Sequence, residues 1–167
     1  MNNRETFCVF MRNEHHKGFY NDGKPEESLL KIHYSDFFEY PDDSEFPYDT
    51  AWSLLCGSCH YFVLSLNKEF GYSPYIIEGK TKRGFHAFCQ ICIGKKWYYV
   101  DARGITSSFD EFMDVAKTFV SDEYIIRPVT SDDIVEWEND EFYKEEGRAF
   151  ADAVIKKYKE CYSFPSK

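Results

Sequence analysis

Three residues suited to nucleophilic catalysis occur close together in the chain, in the order Cys59, His86 and Asp101. A cysteine thiolate can attack a carbonyl carbon, and an imidazole can carry the proton that the reaction moves. A carboxylate beside the imidazole holds the ring in one orientation and tautomer. This combination favours acyl-transfer chemistry on an amide or ester carbonyl.

Cys59 lies where a helix is predicted to begin. Ser58 is a suitable N-cap residue, and Gly71 is a suitable helix stop. Between them, apolar residues recur at helical spacing on one face: Cys59, Phe62, Val63, Leu66 and Phe70. The free N–H groups and the positive dipole end of a helix start favour a thiolate. The N–H of Cys59 could also bind an oxyanion.

His86 and Asp101 lie on the two strands of a predicted β-hairpin, at 85–93 and 96–102. The two-residue loop between the strands is Gly94-Lys95, and Gly at its first position suits a type II′ turn. Each strand is rich in aromatic and β-branched residues, which is typical of strands.

The loop sets the register of this hairpin. If residue 93 faces 96, then His86 faces Arg103 and Phe88 faces Asp101. Cross-strand partners share a face, so His86 and Asp101 would be diagonal neighbours, about 7–8 Å apart at Cα. A slip of one residue would place the two side chains on opposite faces.

The remaining pattern predicts an α+β fold in one domain, 1–167, with an N-terminal arm at 1–50, a core at 51–130 and C-terminal helices at 131–167. One helix, carrying Cys59, would pack on an antiparallel sheet. Further predicted elements are a strand or irregular arm at 5–12, a helix from Pro25 to Phe38, a strand near 74–79, a helix from Phe109 to Phe119, a strand at 123–129, a short helix from Asp132, and a helix from about Asp140 to Cys161 with Gly147 as a weak point.

The surroundings of the three residues resemble the transglutaminase-like superfamily of cysteine enzymes. The matching motifs are Gly-x-Cys-x-x-Phe at 57–62, His-Ala-aromatic at 86–88 and Tyr-x-Val-Asp at 98–101, within about residues 52–105. Cys-Gly-Ser-Cys at 56–59 is also similar to the papain signature, although the papain His lies much further downstream.

The resemblance implies a transglutaminase-like, or papain-like, core with Cys59 as nucleophile, His86 as base and Asp101 as orienting residue. It further implies a thioester acyl-enzyme, a protein or peptide substrate and no cofactor. Protease, deamidase and acyltransferase activities, on a peptide, isopeptide or side-chain amide, all stay open.

Four further residues are candidates for the site. Trp52 could donate its indole N–H to an oxyanion, although a core Trp is the other interpretation. Ser58 could contact substrate or the oxyanion. Arg103 could bind a substrate carboxylate or pair with a neighbouring Asp. His60 could replace His86 as the base, but its position directly after Cys59 directs it roughly 100° around the helix.

The alternative function is a non-enzymatic protein-binding module of the same fold, with or without zinc. Two Cys-x-x-Cys pairs, Cys56 with Cys59 and Cys89 with Cys92, could form a four-thiolate zinc site. Against it, positions 89 and 92 would point to opposite faces of a strand. Cys59 alone could also be a small buried core residue.

Composition excludes several classes of partner. The formal net charge is −9 and the basic residues are scattered, which argues against nucleic-acid binding. No apolar run approaches the roughly 18 residues of a membrane span. The first residues lack the apolar segment of a signal peptide, so we expect a cytoplasmic protein whose six cysteines are not paired in disulfides.

Overall fold

A computed structural model describes residues 20–21, 24–25, 29–81, 84–120 and 123–164. The fold is α+β, as the sequence pattern predicts, with a five-stranded antiparallel sheet and helices. The strand or arm predicted at 5–12 lies outside the described residues. No helix in the described part of the chain is long and apolar enough to cross a membrane.

The sheet contains five strands in the order β6-β5-β4-β3-β7, and all neighbours are antiparallel. A separate two-stranded ribbon is formed by β1 and β2. The strands are β1 (Tyr20–Asn21), β2 (Lys24–Pro25), β3 (Ser73–Gly79), β4 (Phe85–Ile93), β5 (Lys96–Asp101), β6 (Gly104–Thr106) and β7 (Tyr124–Pro128).

The register of the β4–β5 hairpin is the one that the sequence predicts. Ile93 pairs with Lys96, and Cys89 pairs with Val100. Gly94 has a φ of 65°, whereas Lys95 is not among the residues with positive φ. That combination fits a type II′ turn, whose first loop position needs the left-handed region. The predicted same-face placement of His86 and Asp101 follows from this register.

The helix that carries Cys59 has the predicted bounds. The helices are α1 (Cys59–Phe70), α2 (Phe109–Ala116), α3 (Ser131–Glu138), α4 (Lys144–Lys157) and α5 (Lys159–Tyr162). Gly71 ends α1 with a φ of 71°, in the left-handed conformation that glycine adopts without strain. Ser58 occupies the N-cap position, but its side chain does not cap the helix. Its hydroxyl is hydrogen-bonded to the Tyr48 hydroxyl instead, at 3.1 Å.

The prediction of a helix from Pro25 to Phe38 is wrong. The chain forms two short 3-10 turns there, Leu29–Lys31 and Tyr34–Asp36. Between them the backbone pairs with a distant segment, because Tyr34 N–H donates to Asp49 O and Ala51 N–H donates to Ile32 O. These tertiary hydrogen bonds replace those that a continuous helix would make.

The long helix predicted from about Asp140 to Cys161 is divided. Helix α4 begins only after Tyr143, whose φ is 53°, and Tyr158 separates it from α5. Gly147, the predicted weak point, lies inside α4 without interrupting it. A Cβ at this position would collide with the Tyr48 hydroxyl and the Tyr61 ring. The absence of a side chain at Gly147 therefore allows α4 to approach those two rings.

Helix α1 lies at the centre of the molecule, in contact with both β4 and α4. Its buried side chains include Phe62 and Leu66, which join one hydrophobic cluster with Phe88, Val100 and Phe150. Burial of such side chains stabilises each by about 1.5–3 kcal/mol relative to exposure. The packing of α1 on β4 brings the first residue of the helix beside His86.

Candidate active site

The structure brings Cys59, His86 and Asp101 together. Cys59 is the first residue of α1, His86 is the second residue of β4, and Asp101 ends β5. His86 Nε2 lies 2.9 Å from Asp101 Oδ2. The backbone N–H of Ala87, next to His86, donates to Cys59 Sγ at 3.4 Å. The sheet therefore contacts the predicted nucleophile directly, next to the predicted base.

The ring of His86 is held in a defined orientation. Asp101 engages Nε2, so Nδ1 is the nitrogen left for the thiol. Nδ1 is buried and has no hydrogen-bond partner among the described residues. Phe119 stacks on the imidazole, with centroids 5.1 Å apart and planes 7° from parallel. Carboxylate and aromatic contacts together fix the tautomer and the plane of the ring.

Arg103 binds the carboxylate of Asp101. Its Nε donates to Asp101 Oδ1 at 3.0 Å and its Nη2 donates to Oδ2 at 2.7 Å. Its backbone N–H also donates to Oδ1, at 2.9 Å. Arg103 is fully buried. Two roles were expected for Arg103, binding of a substrate carboxylate or an ion pair with a neighbouring Asp. The structure shows the ion pair.

This arrangement keeps Asp101 ionised. Burial by itself would raise the pKa of Asp101, because a carboxylate loses hydration in the interior. The Arg103 guanidinium and the hydrogen bond from His86 outweigh burial and hold that pKa well below its usual range. A permanently charged carboxylate is what an orienting residue for imidazolium requires.

The thiol and the imidazole shift each other in opposite directions. Burial would raise the pKa of Cys59, but His60 and His86 beside the sulfur lower it to about 6. Burial would lower the pKa of His86, but Asp101 and Cys59 raise it. These opposite shifts favour a thiolate–imidazolium pair, in which, together with ionised Asp101 and Arg103, the four buried charges would sum to zero.

His60 also lowers the pKa of Cys59, although its position on the helix predicts that it points away from that residue. Its side chain is 8% exposed, and its Nε2 lies 3.7 Å from Asp140 Oδ2. The expected rotation of about 100° per residue describes Cα positions around a helix, whereas the side chains lean toward the N-terminus. The adjacency of His60 to Cys59 in the chain is the sequence signal for this influence.

The start of α1 supplies further polar groups. The first N–H groups of a helix have no carbonyl acceptor within it, so those of Cys59 and His60 can face an oxyanion. Ser58 Oγ is engaged by Tyr48, as described above. Trp52 lies in the 3-10 turn Ala51–Leu54 and packs, partly buried, against the hydrophobic core. Backbone groups are thus better placed than Ser58 for an oxyanion.

The four cysteines of the alternative zinc site do not come together. Cys89 is buried and directs its Sγ toward Val63 O at 3.8 Å. Cys92 is exposed, with its Sγ 3.5 Å from Gly94 O at the hairpin turn. Within the described ranges no group of three or more His, Cys, Asp or Glu side chains could hold a metal ion. Burial also raises the pKa of Cys89, which disfavours the thiolate that zinc needs.

Cys59, Cys89 and Cys92 are free thiols. Cys8 lies outside the described residues. The pKa of Cys59 is lowered, whereas burial raises the pKa of Cys89. The environment therefore distinguishes Cys59 from the other thiol of the core that faces α1.

Comparison of the chain with protein-family models, with curated proteins and with solved structures found no match. Inference about function therefore depends on the chemistry of the site.

Proposed function

We propose that this protein is a cysteine-dependent hydrolase or acyltransferase with a transglutaminase-like core. Its substrate would be a peptide, an isopeptide or a side-chain amide. The observation that supports this most is the chain of hydrogen bonds from His86 through Asp101 to Arg103, beside a Cys59 sulfur that accepts from the N–H of Ala87, the neighbour of His86. Nucleophile, base and orienting carboxylate in such contact are the requirements of thiol-based acyl transfer.

Acylation would begin with the Cys59 thiolate. The sulfur attacks the amide carbon, a C–S bond forms, and the carbonyl π electrons move to the oxygen. N–H groups at the start of α1 stabilise this oxyanion. When the intermediate collapses, the C–N bond breaks and the His86 imidazolium transfers its Nδ1 proton to the leaving nitrogen. An amine or ammonia departs, and a thioester on Cys59 remains.

Deacylation would use the neutral His86 as a base. His86 removes a proton from water, or from an acceptor amine, as that molecule attacks the thioester carbon. Collapse of the second intermediate breaks the C–S bond and returns the electron pair to sulfur. The thiolate–imidazolium pair is restored. Water gives hydrolysis, and an amine gives transfer.

The order of the elements supports the transglutaminase-like assignment. The nucleophile begins a helix, the base follows on a strand against which that helix packs, and the carboxylate follows on the neighbouring antiparallel strand. This is the arrangement that the motifs around Cys59, His86 and Asp101 imply.

Trapping of the acyl-enzyme tests the proposal. The protein is incubated with short peptides that contain internal peptide bonds, glutamine side chains or glutamyl-lysine isopeptides, and products are followed by mass spectrometry. We expect an acyl adduct on Cys59, which added hydroxylamine releases as a hydroxamate. Cys59→Ser should form neither adduct nor product, whereas Cys92→Ser, at an exposed cysteine, should behave as the wild type. Equal turnover by Cys59→Ser would refute the proposal.

A non-enzymatic binding module is the second candidate, and burial of the site favours it. Cys59 is 5% exposed and His86 is 0% exposed, so a substrate carbonyl reaches the sulfur only if covering groups move. Under this alternative, partner binding would persist in Cys59→Ser and no acyl adduct would form with any of the peptides.

A further inference from the structure

Helix α3 contributes a single buried side chain, that of Trp137, to the protein interior. Two large apolar side chains on the same helix, Ile134 and Val135, are 37% and 59% exposed. Phe142, in the segment that follows α3, is 58% exposed. Single exposed apolar residues are ordinary, but a group of large ones in one short segment is typical of a surface that binds another molecule.

A groove separates α3 from α1 and α4. Its volume is about 280 Å³, close to the lower end of the range for small-ligand sites. Tyr61 and Leu64 of α1 and Ile134 of α3 supply its apolar lining. Ile134 therefore connects the groove to the exposed side of α3, where Val135 lies.

Two ion pairs lie at the polar rim of this groove. Lys68 of α1 binds Asp152 of α4, with 3.3 Å between Nζ and Oδ2, and Arg148 of α4 binds Glu138 of α3. All four side chains are partly or largely exposed to solvent. Exposed pairs of this kind are weak. Cations of a bound molecule could therefore replace Lys68 and Arg148 at the two carboxylates.

The segment that carries α3 is strongly acidic. Residues 131–146 contain eight Asp and Glu residues, and Lys144 is their one basic residue. Asp132, Glu136 and Glu141 are exposed and form no ion pair with any residue that the structure describes. Clustered carboxylates repel one another, and a partner that brings positive charge relieves this repulsion. Apolar side chains among unpaired carboxylates thus complement a polypeptide segment that is both basic and apolar.

The buried side of α3 lies against the neighbours of the two candidate catalytic residues. The Trp137 ring stacks on Phe85, with centroids 6.1 Å apart and planes 16° from parallel, and its centroid lies 5.5 Å from that of His60. Phe85 directly precedes His86, and His60 directly follows Cys59. A polypeptide bound on the outer side of α3 would therefore have its adjoining residues close to the candidate active site.

We propose that the α3 surface, defined as Val135, Glu136 and the groove residues Leu64, Ile134 and Glu138, binds a basic segment of the polypeptide substrate. Lysine or arginine side chains of that segment would pair with the carboxylates, and a large apolar side chain would enter the groove. This inference rests on the proposed cysteine chemistry. It specifies the substrate class as cationic polypeptides that carry apolar residues among the basic ones.

The experiment measures binding in the Cys59→Ser background, so that no turnover occurs. The probes are three fluorescein-labelled peptides, each of four repeats: Lys-Leu-Gly, Lys-Ser-Gly and Glu-Leu-Gly. Dissociation constants come from fluorescence anisotropy. Val135→Ser and Glu136→Lys change the α3 surface. Ile93→Ser and Asp110→Lys are the matched controls, because they remove an exposed apolar side chain and reverse an exposed charge elsewhere.

We expect the Lys-Leu-Gly peptide to bind most tightly, the Lys-Ser-Gly peptide more weakly and the Glu-Leu-Gly peptide not measurably. Val135→Ser and Glu136→Lys should each weaken binding of the Lys-Leu-Gly peptide about fivefold or more, because each removes a favourable contact of the surface. Both controls should match the parent protein. A rise in sodium chloride from about 0.05 to 0.5 M should also weaken binding, because the paired charges are exposed.

Three results would overturn the inference. They are no binding of the Lys-Leu-Gly peptide, equal binding of the Glu-Leu-Gly peptide, and unchanged binding in either folded variant of the α3 surface. The changed side chains are exposed, and circular dichroism verifies that each variant is folded. If Val135→Ser or Glu136→Lys is not folded, Val135→Thr or Glu136→Gln takes its place.

A second copy of the chain is the other occupant that the experiment distinguishes. Sedimentation velocity of the parent protein and of Val135→Ser reports the oligomeric state. A dimer that Val135→Ser dissociates would show that the α3 surface is a self-association site, and the proposal would fail. A monomer in both cases leaves the surface open to a basic segment, as we expect.

The outcome is separable from that of the proposed function. If the Lys-Leu-Gly peptide binds through the α3 surface but no acyl adduct forms on Cys59 with any peptide, the surface binds basic segments and the enzymatic proposal fails. If adducts form on Cys59 and the surface variants bind as the parent does, the enzymatic proposal holds and the role of the α3 surface is rejected.

Discussion

Arg103 and Asp101 form a fully buried ion pair, with Nε donating to Oδ1 and Nη2 donating to Oδ2 at 3.0 and 2.7 Å. The two residues are separated by Ala102 alone and meet across the end of the β5–β6 hairpin. Arg103 and His86 thus share Asp101 Oδ2, and Arg103 alone binds Oδ1 through its backbone N–H and its Nε. Each of these buried charges has the other as its partner. Loss of either residue should therefore affect both the candidate site and the stability of the protein.

Removal of this guanidinium should destabilise the protein strongly. Arg103→Met leaves the Asp101 carboxylate buried without its partner, and breaking a buried pair in this way costs about 3–5 kcal/mol. The free energy of unfolding in urea at pH 7 measures the loss. Lys117→Met removes an exposed pair with Asp114 and should change stability by less than about 1 kcal/mol.

A double-mutant cycle separates the pair from its surroundings. Asp101→Asn also leaves a buried charge unpaired, whereas Asp101→Asn combined with Arg103→Met leaves none. The double variant should therefore lose less stability than the sum of the single losses, by about 1 kcal/mol or more. Strict additivity of the three unfolding free energies would show that the two side chains do not interact.

Acid should weaken the fold through Asp101. Its pKa is lower in the folded protein than the ordinary value of about 3.9, so its contribution to stability is present above that value. The contribution is lost as the pH falls through the folded pKa, because protonation then removes the charge that Arg103 and His86 bind. Between pH 5 and pH 2, the unfolding free energy of the wild type should fall more than that of the Asp101→Asn, Arg103→Met double variant. Parallel acid profiles would contradict this prediction.

Turnover, if the proposed chemistry is right, should depend on pH in a bell shape. The lower limb reflects Cys59, which gains its proton below a pKa of about 6. The upper limb reflects the imidazolium, whose pKa is raised above the ordinary value of about 6.5 for histidine. The two limbs belong to the coupled pair. The pH profile of kcat/KM for any substrate measures both.

His86 should be the source of much of the thiolate character. In His86→Ala, burial is no longer offset by the imidazole, so the pKa of Cys59 should rise toward or above the ordinary value of about 8.5 for cysteine. Site-resolved alkylation against pH gives the midpoint, and exposed Cys92 in the same sample is the internal standard. An unchanged midpoint at Cys59 would exclude a thiolate–imidazolium pair with His86.

Gly147 should not tolerate a side chain, although it lies in a helix. Alanine normally favours a helix interior by about 1 kcal/mol over glycine. At this position the added Cβ meets the Tyr48 hydroxyl and the Tyr61 ring. Overpacking of this kind costs about 1–3 kcal/mol. We therefore expect Gly147→Ala to lower the free energy of unfolding, and Lys156→Ala on the exposed face of α4 to leave it nearly unchanged.

Local patterns predicted a large part of the fold that positions the site. The bounds of α1 follow from apolar spacing and from the stop at Gly71, and the hairpin register follows from a two-residue loop. The prediction failed from Pro25 to Phe38, where helical spacing is present but backbone groups pair with 49–51. Contacts with a distant segment prevailed there over local preference, as tertiary context often does.

For the site, the residue types, their order and the shared face of His86 and Asp101 were determined by the sequence itself. The tertiary structure decided what each side chain contacts: Arg103 binds Asp101, Ser58 binds Tyr48, and His60 lies near Asp140. The physical reason is the distance along the chain over which each effect acts. Turn geometry and apolar periodicity act over a few residues. These contacts depend instead on how α1 packs against β4 and against the segment after α3, and the packing of the whole core determines that arrangement.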